Sequence, residues 1–245
     1  MSDQPYRRPP ITEAIIEVRF ADPLEASQFE KAAVDFKDTY PIQQPTMAIA
    51  LGVAPDAWTG SVAQINQTTG SRLSSPDQTE LAVLWPQSFV VSQLAPYPGW
   101  NHFFGRFERD WQLWKRAMGY RKIARVGLRY INRIDIPNSG QIAEEADFLN
   151  VFAKAPDNLG PFVAYGVQVQ FLPDEHGCKL VLNSALVPSP LLNHTAIVLD
   201  LDAAVEFGAP QNDKDLYLLL NEMRHKKNSA FEACVTDRAR ELFQL

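Results

Sequence analysis

Glu13 and Glu17 stand four residues apart, and so do Arg129 and Arg133. Side chains two or four apart on an extended chain share a face, so two such strands laid side by side would set carboxylates against guanidinium groups. That constellation serves either as a cross-strand salt ladder or as the polar floor of a ligand site. In open water each pair is worth at most about 1 kcal/mol, whereas behind a shield the loss of one partner costs about 3 to 5 kcal/mol by stranding the other. Arg19, Arg125, Asn132 and Asp135 extend the same polar set. A second chemical feature is Tyr97-Pro98-Gly99-Trp100, a Pro-Gly turn between two aromatic rings. Such rings stack on flat ligands at about 1 to 3 kcal/mol each, or simply anchor a loop.

Other chemistries find little footing. His102, His176, His194 and His225 are scattered without HxxxH or HExxH spacing, so no zinc site is expected. The chain has no GxxxxGK[ST], GxGxxG or GxSxG motif, which leaves no phosphate loop, dinucleotide fingerprint or nucleophile elbow, and no cofactor is expected. Asp200, Asp202 and Glu206 offer oxygen ligands for a hard cation, but they read better as a solvated strand edge. Asp77 and Glu80 lack the lysine that completes a nuclease-type carboxylate pair. Arg224-His225-Lys226-Lys227 reads as the solvated face of a helix rather than a phosphate contact. Cys178 and Cys234, without CxxC spacing, read as reduced, buried small hydrophobes.

The elements that must carry these residues follow from periodicity. Along Ile11 to Phe20, Ala14, Ile16, Val18 and Phe20 alternate with Glu13, Glu17 and Arg19, a half-buried strand. Leu24, Phe29, Ala32, Ala33 and Phe36 then recur at helical spacing until Tyr40-Pro41. Apolar runs from Met47 to Leu94, broken by turn residues, predict several strands. From Gly99 to Met118 a stripe of Trp100, Phe103, Phe104, Phe107, Trp111, Trp114 and Met118 predicts an amphipathic helix ended by Gly119.

The second half reads in the same order. Arg125 to Ile136 is a strand with Val126, Leu128, Tyr130, Ile134 and Ile136 on one face and Arg125, Arg129, Arg133 and Asp135 on the other. Ala143 to Ala155 reads as a short helix. Phe162 to Phe171 alternates, with Val163, Tyr165, Val167, Val169 and Phe171 inward, and a turn at residues 173–177 leads to a strand from Cys178 to Ala185. Thr195 to Leu201 is a further strand. One long helix capped by Asp213 runs to the end on Leu216, Leu219, Leu220, Met223, Phe231, Cys234, Leu242 and Phe243.

The expected fold is therefore α+β: tandem duplicated strand-helix-strands-helix units, residues 1–121 and 122–245, forming one compact curved antiparallel sheet with its helices on one face. By topology this is analogous to TATA-binding-protein or helix-grip folds, an analogy that transfers no activity. At 245 residues the chain is long enough to bury roughly 70 to 75% of its unfolded surface without disulfides or metals.

With 46% hydrophobic and 21% charged residues it is neither disordered nor fibrous in composition. Met47 to Ala54, eight residues, is the longest nearly apolar stretch, so no membrane helix is expected. The N-terminal segment lacks a secretory pattern, and a cytoplasmic location is expected. The net charge of −6 divides evenly, with 10 basic and 13 acidic residues in 1–120 and 13 and 16 in the rest. Bulk charge thus argues against a nucleic-acid or anionic-membrane surface and leaves only a local basic patch for one.

Taken together, Pro10-Ile-Thr-Glu-Ala-Ile-Ile-Glu-Val-Arg-Phe20, Tyr97-Pro-Gly-Trp100 and Arg125-Val-Gly-Leu-Arg-Tyr-Ile-Asn-Arg-Ile-Asp135 resemble a bacterial family of uncharacterised, sporadically distributed proteins of about this length. The resemblance covers most of the chain, least clearly residues 47–78. It implies the patchy occurrence of accessory genes and brings no reaction, cofactor or partner with it.

The leading expectation is a non-enzymatic module that binds or scaffolds a protein or small-molecule ligand, with Glu13, Glu17, Arg19, Arg125, Arg129, Asn132, Arg133, Asp135, Tyr97 and Trp100 as the candidate contacts and no catalytic or metal residues. The alternatives are a nucleic-acid-associated accessory factor of bacterial defence or mobile elements, gripping a strand through the arginines, and a hydrolase whose carboxylates assemble across the two halves.

Overall fold

The computed structural model describes residues 6–52, 64–137, 145–160 and 162–244. These form strands β1 (Ile11–Phe20), β2 (Ile42–Gly52), β3 (Gln64–Ser74), β4 (Glu80–Leu84), β5 (Ser88–Leu94), β6 (Ile123–Pro137), β7 (Gly166–Gln170), β8 (Cys178–Pro188) and β9 (His194–Val205). The helices are α1 (Ala26–Asp35), α2 (Trp100–Met118), α3 (Asp213–Cys234) and α4 (Asp237–Gln244). All nine strands join one antiparallel sheet in the order β2-β3-β4-β5-β1-β6-β9-β8-β7, so the fold is α+β. Among the described residues no helix is long and apolar enough to cross a membrane.

The two opening strands meet at the centre, as the repeated order of elements suggests. β1 and β6 pair antiparallel with Ala14 opposite Tyr130, Ile16 opposite Leu128 and Val18 opposite Val126. All six of these side chains are essentially solvent-free. On each side of this pair the chain returns to its own first strand: β5 lies against β1 and β9 against β6. The helices cover the face that holds the apolar set. In α2, Phe103, Phe107, Trp111 and Trp114 at three- and four-residue spacing pack on the sheet with Phe20 and Phe89. Gly119, with φ of 73°, ends that helix where a side chain would be strained.

α3 packs on β9 and β6 through Leu216, Leu220 and Met223, and Phe231, Cys234 and the α4 residues Ala239 and Phe243 close a second apolar cluster over Ile134, Ile136, Ile197 and Leu199. Cys178 and Cys234 are free and buried.

Four expectations are corrected. The helix read at Ala143–Ala155 is not formed in its described part: Glu145–Asp147 makes one 3-10 turn, and residues 138–144 lie outside the described residues. Beyond that turn the backbone bonds leave the segment for the corner between α3 and α4, with Asn150 N donating to Cys234 O at 2.7 Å and Thr236 N to Phe148 O at 3.1 Å. The same corner divides the long terminal helix. Val235 is extended, and the Thr236 hydroxyl donates to Asp147 O at 2.5 Å while accepting Ala239 N at 3.3 Å.

The cap of α3 is Asn212, whose Oδ1 accepts Asp215 N at 3.0 Å, and not Asp213. Asp213 instead ties α3 to α2, accepting Trp111 Nε1 at 2.9 Å and Lys115 Nζ. Finally, the strand read at Phe162–Phe171 is confined to Gly166–Gln170, and Val163 is 94% exposed, because this strand is the sheet edge beyond the helical cover.

Candidate functional site

The open face of the sheet carries most of the predicted polar set. β1 contributes Glu13, Glu17 and Arg19, and β6 contributes Arg125, Arg129, Arg133 and Asp135, all on the face opposite the helices. Acid and base do meet across β1 and β6, but at one place. Arg125 bonds Glu17 at 2.5 Å and, on its other side, Asp202 of β9 at 3.3 Å. Gly127 makes this possible, since a Cβ there would stand 2.5 Å from Arg125 Nη1.

The expected four-charge ladder is otherwise redistributed. Arg129 turns to Asp200 of β9 in a two-pronged contact with both bonds at 2.8 Å, which raises the guanidinium pKa further. Arg133 folds onto Asp135 of its own strand at 3.0 Å, and Asp135 also accepts Ser189 Oγ at 2.8 Å. Glu13 accepts Ser92 Oγ from β5 at 2.5 Å, and Arg19 bonds Glu17 at 3.1 Å. The reason is register: β9 presents Asp200 and Asp202 beside β6 on this face, opposite Ile131 and Arg129. Partial burial holds Asp202 above the ordinary carboxylate range against the pull of Arg125. Each arginine here already has a carboxylate, so a phosphate strand would have to displace one.

Asn132 is the exception. It lies on the helix face, 2% exposed, donating to Leu199 O at 2.9 Å. Tyr97 and Trp100 lie on that side too, and with them the structure brings together a second, different site. A cavity of about 620 Å³ opens between the segment Pro9–Ile11 at the start of β1, the 97–100 turn, Tyr130 and Asn132 of β6, and α3. Gly99, with φ of 100°, lets the turn enter α2 directly, so the N-terminal end of that helix borders the cavity. Tyr97 OH and Tyr130 OH share a hydrogen bond of 2.8 Å, and burial pushes the Tyr97 phenol up to about 12. Trp100 Nε1 donates to Asn221 Oδ1 at 3.1 Å, and the Arg224 guanidinium lies 5.6 Å from the Trp100 ring centre.

The residue that sets the electrostatics is Lys227. It is 7% exposed, lines the cavity, and holds its Nζ 3.7 Å from the centre of the Tyr130 ring. Burial first, and then the neighbouring Arg224 charge, lower its pKa to about 7. Among the described residues no carboxylate lies within ion-pair distance of it. Glu232, the one acidic residue in the described lining, is taken by Tyr6 OH at 2.8 Å and Arg240 Nε at 3.0 Å. Lys227 thus shares the described lining with a single carboxylate that is already engaged.

Sequence reading treated 224–227 as one solvated run. The helix divides it: Lys226 points out to Asp174 at 2.7 Å, and Lys227 points in. The signal was present, because Leu216, Leu220, Met223, Lys227, Phe231 and Cys234 form one continuous buried stripe in which Lys227 fills the apolar register. No group of three or more ligating side chains suited to a metal occurs among the described residues.

No family model matches the chain, and no curated protein matches it. Among solved structures, the S. pombe Pct1 RNA triphosphatase in complex with the Spt5 CTD aligns at 8% identity over 97% of this chain and 81% of that one, with a TM-score of 0.16. The same enzyme alone aligns at 9% identity over 98% and 82%, with a TM-score of 0.15. TM-scores of this size do not mark a shared fold.

Proposed function

We propose that the protein is a ligand-binding module whose site is the cavity between the 97–100 turn, β6 and α3, and that the ligand is a small planar organic anion such as an aromatic carboxylate. The observation that carries this reading is the Lys227 ammonium, buried in a cavity and lacking a carboxylate partner among the described residues. A buried cation left without a counter-ion is costly, and a ligand anion would remove that cost. Around it, Tyr97, Trp100 and Tyr130 supply flat apolar surface, and the N-terminal end of α2 adds its partial positive charge. Arg7, exposed at the mouth, extends the same sign toward the entrance.

Calorimetric titration with 4-(hydroxymethyl)benzoate tests the reading. Binding to the native chain that is lost in Lys227→Met and kept in Arg129→Met is expected. Equal affinity in all three would refute it.

We also propose that residues 1–121 and 122–245 are a duplication. Its support is the mirrored strand order outward from the centre, β1-β5-β4-β3 with β2 at the edge against β6-β9-β8-β7, with a long helix, α2 or α3, following the strands of each half. In that arrangement the cavity lies where the halves join, with the 97–100 turn from one and Tyr130 and Lys227 from the other.

A further inference from the structure

We propose that Lys227 captures carbonyl ligands covalently, as an imine, within this cavity. The inference rests on the cavity being a ligand site, and it adds a reaction to it. The geometry is that of a guarded nucleophile: a primary amine 7% exposed, on the wall of a cavity large enough for a small organic molecule, with no acid to hold its proton among the described residues. The cavity reaches solvent past Arg7, His225 and Ser229, all exposed, so a ligand has a route to the amine.

The groups that face the amine favour its neutral form. On α3 this is Arg224, one turn away, with Glu232 opposing it only weakly while bound to Tyr6 and Arg240; His225, also on α3, is exposed at the mouth. From the N-terminal segment come Arg7 and Tyr6, from the 97–100 turn Tyr97, and from β6 Tyr130. The phenols of Tyr6 and Tyr97 are pushed up to about 12 and that of Tyr130 also rises, each chiefly by burial, so none is an anion near neutrality. With its own pKa near 7, about half of Lys227 is unprotonated at neutral pH, against less than about one part in a thousand for a solvated lysine. A lysine desolvated beside another cation is activated for attack on a carbonyl in this way.

The step balances without an outside oxidant or reductant. The Nζ lone pair forms a bond to the carbonyl carbon, and the C–O π electrons move to oxygen. The nitrogen gives up its two protons to that oxygen, which leaves as water, and a C=N bond joins ligand and lysine. An aldehyde that also carries a carboxylate is the ligand class the site selects: the anion meets Arg7 at the exposed mouth, and the carbonyl meets Lys227.

The test treats the full chain with 4-carboxybenzaldehyde and sodium cyanoborohydride at pH 7, then maps modified lysines by peptide mass spectrometry. Labelling of Lys227 at least about 100-fold faster than of Lys226, half-maximal near pH 7, is expected. It should vanish in Lys227→Arg, persist in Lys226→Met, and be suppressed in the native chain by saturating 4-(hydroxymethyl)benzoate, which fills the cavity without a carbonyl. This competition needs no variant and holds even if the substitutions fail to fold. Labelling spread over surface lysines with no excess at Lys227, while 4-(hydroxymethyl)benzoate still binds, would overturn the imine and leave the cavity reading standing. Absence of both would remove both.

Discussion

On the open face of β1 and β6, Arg125, Arg129 and Arg133 each reach a carboxylate within 3.0 Å, whereas on the covered face of the same β6 strand the buried Lys227 lies against the ring of Tyr130 with no carboxylate in ion-pair reach among the described residues. Cations on the first face are spent in holding strands together. β9 supplies Asp200 and Asp202 in register with β6, and the charges cancel in place. The second face buries a charge that no carboxylate pairs among the described residues, although Tyr6, Tyr97 and Glu232 around it are all engaged. On the proposed reading, a buried cation on the wall of a cavity marks where an external anion would bind.

The sharpest way to break this contrast is to remove the cation. Lys227→Met should weaken 4-(hydroxymethyl)benzoate at least about 100-fold, roughly the 3 kcal/mol that truncating one partner of a buried charge pair costs, read by calorimetry. Stability should respond as well. The folded pKa of Lys227, about 7, lies below the ordinary 10.5, so the unfolded chain binds more protons between those values and stability rises with pH through that window. On the order of 3 to 5 kcal/mol separates the two ends, fully absent below about pH 7. The slope should disappear in Lys227→Met, measured by denaturant melts from pH 6 to 10. Cys178 and Cys234, whose thiols burial raises, slope the other way above about pH 8.5 and do so equally in both proteins.

The open face should give smaller effects that stop at stability. Arg125→Met leaves Glu17 to the exposed Arg19 and takes the hydrogen-bonded cation from Asp202, around a side chain only 15% exposed, and should cost about 1 to 3 kcal/mol in denaturant melts, with ligand affinity unchanged. Arg129→Met removes a contact whose arginine is 44% exposed and should cost less than about 1 kcal/mol. Loss of ligand in either variant would erase the distinction between the faces.

How legible this was in the chain differs by element. The buried faces of β1 and β6 and the aromatic stripe of α2 follow from periods of two and of 3.6, because burial on one side alone dictates both, whereas the pairing of β1 with β6 is suggested by the repeated order of elements. The partners of Arg129 and Arg133 were not legible, since they depend on which strand lies on the far side of β6, and Asp200 is 71 residues distant in sequence from Arg129. Tyr97 and Trp100 stood out as a turn with rings, and Asn132 was assigned to the wrong face although it falls in phase with Leu128 and Tyr130. Lys227 is hidden in the sequence by a basic run that reads as solvated, while its position on the Met223–Phe231 stripe carries the opposite message. The terminal helix broke, and the 143–155 helix gave way, at one corner that only the tertiary contact between Phe148 and Thr236 defines.

The charge state of Lys227 can be read directly by following the lysine ¹³Cε resonances of a ¹³C-lysine-labelled chain against pH, with the signal assigned by Lys227→Arg. One of the nine lysines should titrate near pH 7, and saturation with 4-(hydroxymethyl)benzoate should carry its midpoint upward by more than one unit as the anion pairs with it. A set in which all nine titrate above about pH 10, or a Lys227 midpoint that ignores the anion, would contradict an open cation awaiting a ligand.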